Sequence, residues 1–201
     1  MNNKKKIIID NGHGVGTLGK CSPDGRLKEY EWTRLIAVKL AEELQRRGLE
    51  AHLLVPETRD VPLRERVARV NAICRATKGG ASECVLVSLH VNASGIMPQW
   101  RMPNGWSAYV GLNASVRSKK LADMLAGNAG KEGLRVRRQF PDKGYWQQSF
   151  AIVRDTLCPA VLTENLFMDN ESDCTFLLSE EGQRKIVALH ADALENYCRA
   201  A

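Results

Sequence analysis

Two histidines and two glutamates stand at points where a side chain can leave the end of a structural element, and together they suit a hydrolytic metal site. His13 follows the run Ile7-Ile8-Ile9-Asp10-Asn11-Gly12 and precedes Gly14. Three consecutive β-branched residues bounded by Asp and Gly read as a buried strand that stops abruptly. The glycines on either side of the imidazole permit close approach of a ligand and a sharp backbone turn. His90 ends a second apolar run, Cys84-Val85-Leu86-Val87-Ser88-Leu89, and Glu164 ends a third, Pro159-Ala160-Val161-Leu162-Thr163. Glu29 lies at the start of the first long helical pattern, where the connection from the first strand returns. Two imidazoles and one carboxylate leave one position of a tetrahedral zinc ion open, the pattern of hydrolytic rather than structural sites. Zinc so held lowers the pKa of its water towards ~7 and polarises a carbonyl. Glu164 is then the general base that later protonates a leaving amine.

Competing residues narrow the set. Glu31 also lies near the helix start, but Glu29 precedes the helix and is freer to turn inward. His52 sits inside a strand pattern and His190 inside a helix stripe, so both read as packing or surface residues. A carboxylate directly after apolar residues, as at Glu164, is costly to bury unless it has a partner or a task. Gly14-Val15-Gly16-Thr17-Leu18-Gly19 satisfies Gly-x-Gly-x-x-Gly, yet the chain continues Lys20-Cys21-Ser22-Pro23-Asp24-Gly25 where a dinucleotide loop would open a helix. Nucleotide binding is not indicated.

The elements that must position these residues alternate along the chain. Strands are expected at 6–10, 49–55, 84–90, 106–110 and 159–164. Helices are expected from about Tyr30 to Arg47, from Pro62, over 116–128, and over 171–178 and 180–198. The first helix presents Trp32, Leu35, Ile36, Leu40 and Leu44 on one face, the second Leu63, Val67, Val70 and Ile73, the last Ile186, Leu189, Ala193, Leu194 and Tyr197. Residues 131–150 give no clear pattern, and 150–153 fits either a short strand or part of a helix. Such alternation implies an α/β fold: a single domain, residues 1–201, with a mostly buried twisted sheet of about six strands flanked by helices on both faces. Sites in such sheets form at the carboxyl ends of the strands.

Composition agrees with a folded domain of this size. The 201 residues are 44% hydrophobic and 26% charged. No apolar stretch approaches the roughly 18 residues of a transmembrane helix. The Lys4-Lys5-Lys6 cluster is followed by only three apolar residues, so synthesis in the cytoplasm without a signal peptide is expected. Six cysteines without a Cys-x-x-Cys pair read as reduced thiols. A net charge of +6 and a pI near 9.1 suggest an anionic partner: nucleic acid, a membrane face or an acidic polymer such as a bacterial wall. The charges are mixed, however, no basic tail is present, and a solvated basic surface is the commoner cause of such a balance.

Taken in order, the four segments resemble the zinc-dependent N-acetylmuramoyl-L-alanine amidases over roughly residues 5–199. Ile9-Asp10-Asn11-Gly12-His13-Gly14 is similar to the family's first zinc motif and Leu27-Lys28-Glu29 to its glutamate ligand. Ser88-Leu89-His90-Val91-Asn92-Ala93 is similar to its third ligand motif, and Val161-Leu162-Thr163-Glu164 with Phe167 and Asn170 to its catalytic segment. Asn11 stands where proline is usual and Leu166 where glycine is usual. The resemblance implies one Zn2+ per chain held by His13, Glu29 and His90, with Glu164 catalytic. The substrate it implies is the amide joining the muramic-acid lactyl group to L-alanine in peptidoglycan or muramyl peptides. Asn92, Trp100, Trp106, Arg135, Trp146 and Arg154 are expected to line the substrate groove. The variant motifs and compact length look more like a phage or prophage lysin, reaching the wall through a partner pore or lysis, than an exported housekeeping enzyme. No nucleic-acid partner is expected, and the sequence indicates no oligomeric state. Two alternatives share some of these features. A zinc carboxypeptidase or other peptide amidohydrolase needs a cationic anchor, for which Arg154 is the candidate. A non-catalytic wall- or nucleic-acid-binding module rests on charge alone.

Overall fold

The computed structural model describes residues 5–95 and 98–200. Lys4 of the N-terminal lysine run therefore lies outside the described residues. The chain runs β1 (Lys6–Asn11), α1 (Glu29–Arg46), β2 (Glu50–Leu53), α2 (Leu63–Ala76), a 3-10 turn at Gly80–Glu83, then β3 (Cys84–Asn92) and β4 (Ser107–Val110). It continues with α3 (Val116–Lys131), β5 (Tyr145–Gln147), α4 (Ala151–Arg154), β6 (Ala160–Phe167), α5 (Glu171–Leu178) and α6 (Glu180–Arg199). The six strands form one sheet in the order β2-β1-β3-β6-β4-β5. All neighbouring pairs are parallel except β4 with β6, so the sheet is mixed, with the antiparallel junction next to the site.

Strand alternation sends successive side chains to opposite faces. Ile7, Ile9, Val85, Val87, Leu89 and Val161 join the larger core beneath α1, α3, α5 and α6. Ile8, Leu86, Ala160 and Leu162 join a smaller core beneath α2 and α4. All three β1 isoleucines are fully buried, each contributing about 1.5–3 kcal/mol. On the second face the same register carries Asp10 after Ile8, Ser88 and His90 after Leu86, and Glu164 after Leu162. The apolar face thus turns polar towards the carboxyl ends of β1, β3 and β6. Because α4 is only four residues long, that polar end is left open as a cleft.

Most elements fall where the pattern places them, and the differences have local causes. Leu35 is 42% exposed and Leu63 55%, so each stripe is narrower than its periodicity suggests. Residues 150–153 resolve as the short helix α4. The unassigned 131–150 stretch contains β5, a strand of three residues too short for alternation to register. Trp106 lies just outside β4 and bridges Val136.

Candidate metal centre and active site

Glu29 is the first residue of α1 rather than a residue before it, and its side chain points inward from the helix start. It is fully buried. Its Oε1 accepts from the Val91 amide at 3.0 Å and lies 3.1 Å from His90 Nδ1. Its Oε2 lies 3.5 Å from His13 Nε2 and 3.8 Å from Lys20 Nζ. Glu31, by contrast, is exposed and bonded to Lys28 and Tyr30.

His13 occupies the left-handed region at φ 59°. A non-glycine residue adopts that conformation only where its surroundings enforce it. The flanking glycines serve a purpose other than backbone freedom at their own positions. A Cβ on Gly12 would sit 2.5 Å from His90 Nδ1 and Cε1, so Gly12 is the space into which the second imidazole fits. A Cβ on Gly14 would lie 2.1 Å from the Asp60 backbone nitrogen. The two imidazoles meet edge to face, with ring centroids 5.1 Å apart and planes at 88°.

The coordinating atoms of His13, Glu29 and His90 all lie within 4.8 Å of one another. Their electrostatics favour a cation. Burial lowers the pKa of His13 to about 4, outweighing the attraction of Glu29, so a neutral imidazole lone pair is available at pH 7. Burial pushes the Glu29 carboxyl up, but the His90 hydrogen bond and the charges of His90, His13 and Lys20 prevail and hold it low. Burial likewise lowers His90, and the Glu29 hydrogen bond and charge raise it overall. Glu29 Oε2 is buried with no hydrogen-bond partner. Lys20 Nζ at 3.8 Å and His13 Nε2 at 3.5 Å stand too far for a strong contact, so a cation bound closer would satisfy it. A divalent ion shared with two imidazoles meets that need, so the residues fit a metal.

Glu164 pairs in register with His90 on one side and with Ser107 on the other. Burial raises its pKa to about 7; the charges of His90 and Lys20 lower it and that of Glu29 raises it further. Its Oε2 is buried with no hydrogen-bond partner, leaving a carboxyl oxygen available to a substrate or water. Beside it lies a cleft of about 670 Å³ bounded by His13, Lys20, Asp60, Leu63, Phe150 and Arg154, among others.

The remaining sequence candidates divide. Arg154 lines the cleft, but it is paired in both directions with Asp155 at 2.7 Å and bonded to Ser149, so its charge is already answered. Trp146 lies on β5 beside Tyr109, centroid to centroid 6.2 Å, with Arg137 stacked on its ring at 5.9 Å. Trp100 is partly exposed on the loop after β3, stacked by Arg26 at 5.8 Å. Arg135 is exposed and bonded to Asn104 at 3.0 Å. Asn92 turns its side-chain oxygen onto the Ala93 amide at the end of β3. Trp106 does not line the groove. It is fully buried, its indole donating to Asn165 at 2.9 Å, because the residue before β4 points into the larger core. His190 is buried and His52 exposed, and neither joins the cluster of His13, Glu29 and His90.

Residues not singled out by sequence hold the site from beneath. Arg66 is 2% exposed and pairs with Asp10 at 2.8 Å, while Ser88 donates to the other Asp10 oxygen at 2.6 Å. One signal existed. Arg66 occupies a helical position in line with Leu63 and Val70, and a charge on an apolar stripe has to be answered by a buried partner. Asn165 donates to the His90 carbonyl at 3.0 Å from the strand that carries Glu164. Nothing in its sequence surroundings marks it.

The family model for N-acetylmuramoyl-L-alanine amidase matches residues 7–196. The chain belongs to the N-acetylmuramoyl-L-alanine amidase family. Within it, the chain is 31% identical over 189 residues to the amidase CwlM of Bacillus licheniformis, covering 94% of this chain and 67% of that protein. It is 28% identical to the endolysin of Bacillus phage SPP1, covering 94% of this chain and 65% of the relative. The chain thus spans about two thirds of the length of these relatives. Among solved structures it is similar to the N-acetylmuramoyl-L-alanine amidase of Clostridium difficile 630, with a TM-score of 0.82 at 23% identity and 98% coverage of both chains. The catalytic domain of the amidase CwlV from Bacillus (Paenibacillus) polymyxa var. colistinus gives a TM-score of 0.79 at 25% identity, covering 98% of this chain and 99% of that one.

Proposed function

We propose that this chain is a zinc-dependent N-acetylmuramoyl-L-alanine amidase, a single catalytic domain that hydrolyses the amide between the lactyl group of N-acetylmuramic acid and L-alanine in peptidoglycan. The observation that carries this reading is the meeting of His13, Glu29 and His90 beside Glu164. Zinc held by those three residues would supply a Lewis acid for the scissile carbonyl and acidify an adjacent water.

The protein's own part in the reaction is proton handling and placement. With its pKa near 7, Glu164 is accessible both as base and as acid around neutrality. Its unpartnered Oε2 takes the proton of the attacking water and returns it to the leaving amide nitrogen. Phe150 lines the cleft and is backed by Tyr109, their ring centroids 5.5 Å apart, so its ring can meet the glycan or peptide flanking the bond. The site of action is the bacterial wall, and the wall chemistry agrees with a net charge of +6.

Mass spectrometry of purified sacculi digested by the protein tests this directly. Stem peptides beginning with a free L-alanine amino group, and glycan chains retaining the lactyl acid, are the expected products. Loss of a terminal D-alanine with the muramyl–alanine amide intact would instead show a carboxypeptidase.

A further inference from the structure

We infer that Arg66 is the positioning residue for the metal ligand His13, holding its backbone in the left-handed turn that aims the imidazole at Glu29. This rests on the metal-site reading above. Arg66 lies 2% exposed under the loop that follows β1. Every one of its donor nitrogens is engaged. Nε donates to the Val61 carbonyl at 2.7 Å, and Nη1 to Asp10 Oδ1 at 2.8 Å and to the Asn11 carbonyl. Nη2 donates to the His13 carbonyl at 3.1 Å and to Asp60 Oδ1 at 3.3 Å. One planar guanidinium therefore ties the end of β1, the His13 peptide and the residues before α2 into a single arrangement.

The His13 carbonyl has a second donor, Arg34 Nη2 at 3.0 Å, reaching from α1. Five residues earlier in α1, Glu29 enters the site, so this glutamate and the second donor come from the same helix. The neighbouring peptide is held too: Gly12 donates to the Leu89 carbonyl at 2.9 Å, and its own carbonyl accepts from Thr33 at 3.1 Å. A residue at φ 59° with a β-carbon relaxes to negative φ when its peptide is free. Two guanidinium donors on one carbonyl are what prevent that here. Both arginines meet His13 at its backbone carbonyl and not at its imidazole, so their action on the metal ligand runs through the His13 peptide.

The test is zinc affinity, measured by competition with a chromophoric chelator, together with the visible spectrum of the cobalt-substituted protein. In Arg66→Lys an ammonium cannot reproduce the planar fork. The expected result is zinc binding weakened about 10–100-fold, the range for residues that orient a ligand, with an altered cobalt spectrum. The double variant Asp10→Asn/Arg66→Met removes both buried charges at once, so that no lone carboxylate burdens folding, and should weaken zinc to a similar degree. Should neither fold, Arg34→Met leaves the Asp10 pair whole and removes one donor from the same carbonyl; about threefold or greater weakening is expected. Variants that lose thermal stability yet bind zinc with unchanged affinity and an unchanged cobalt spectrum would overturn the inference, leaving Arg66 a structural residue. Failure of the unaltered protein to bind zinc would overturn the metal-site reading itself.

Discussion

His90 and Glu164 face each other in register on the neighbouring parallel strands β3 and β6, and the pairing slips immediately afterwards, before Asn92 meets Phe167. The slip coincides with Leu166, whose φ is 65°, and with Asn165, which reaches back to the His90 carbonyl. One sheet position thus presents the His90 imidazole, one of three groups that could hold a metal, beside the Glu164 carboxyl on the face that α4 leaves open.

The proposed function gives the proton transfer to Glu164. Glu164→Gln keeps the shape of the side chain and removes the titrating oxygen. Turnover of purified peptidoglycan should fall at least ~10²–10⁴-fold while zinc content stays at the level of the parent protein. Activity should also fail on acidification. The carboxyl near pH 7 must be ionised to accept a proton, and a cation held nearby draws its pKa down. The acidic limb of the kcat/KM profile should therefore have its midpoint at or below about 7. A midpoint well above that, or an active Gln variant, would reassign the base.

The two glycines beside His13 should fail differently when given a methyl group. Gly12→Ala places a carbon 2.5 Å from the His90 ring, a side chain able to shift, so metal binding is lost with the fold kept. Gly14→Ala drives a carbon to 2.1 Å from the Asp60 backbone, which has no such freedom, so the melting temperature falls first. Parallel measurement of zinc content and thermal unfolding distinguishes them; equal effects of the two on both quantities would contradict this geometry.

Leu166 stands where the family resemblance expects glycine, and the backbone there still has the glycine-like conformation, φ 65°. The side chain is 4% exposed within the larger core. Left-handed φ costs a residue with a β-carbon about 1–2 kcal/mol, which Ala retains and Gly escapes. Removing the buried leucine costs about 2–5 kcal/mol in either case. Leu166→Gly should accordingly be less destabilising than Leu166→Ala in urea unfolding, the reverse of the usual order within a strand.

How far could the site be read without coordinates? His13, His90 and Glu164 stood out because each lies at or shortly after an apolar run, and strand ends in α/β sheets collect functional groups. β3 nevertheless continues to Asn92 and β6 to Phe167, so His90 and Glu164 sit within the last residues of their strands and not at the strand ends expected. Glu29 was legible in part: its helix start was clear, but only the Val91 amide and the two imidazoles show why it, and not Glu31, turns inward. Trp106, expected at the start of a strand and on the groove, instead turns into the larger core, where its indole donates to Asn165. Asn165 acts through a backbone carbonyl, which leaves no mark in the sequence, whereas the only mark of Arg66 is a charge in line with Leu63 and Val70. β5, at three residues, offers no period to detect.

His190 sets a pH dependence of stability separate from catalysis. Its Nδ1 donates to the Ile186 carbonyl at 2.7 Å, so Nε2 accepts from the Thr163 hydroxyl at 3.0 Å and the ring is neutral. Burial lowers its pKa from 6.5 to about 4. Between those values the unfolded chain binds the proton and the folded one does not, so stability is whole above about pH 6.5 and declines as pH falls towards 4. The full decline is on the order of 3 kcal/mol. Urea unfolding of the parent protein and of His190→Gln across this window should show the steeper loss in the parent; parallel curves would mean the buried imidazole does not titrate in this way.

The central claim, one ion shared by three residues from β1, α1 and β3, is most directly tested by metal stoichiometry. Elemental mass spectrometry of the protein after zinc loading and exhaustive desalting should give one zinc per chain. His13→Ala, Glu29→Ala and His90→Ala should each retain little or none, with circular dichroism confirming that they remain folded. A chain that holds no zinc, or that holds it equally well without any one of these side chains, would contradict the account.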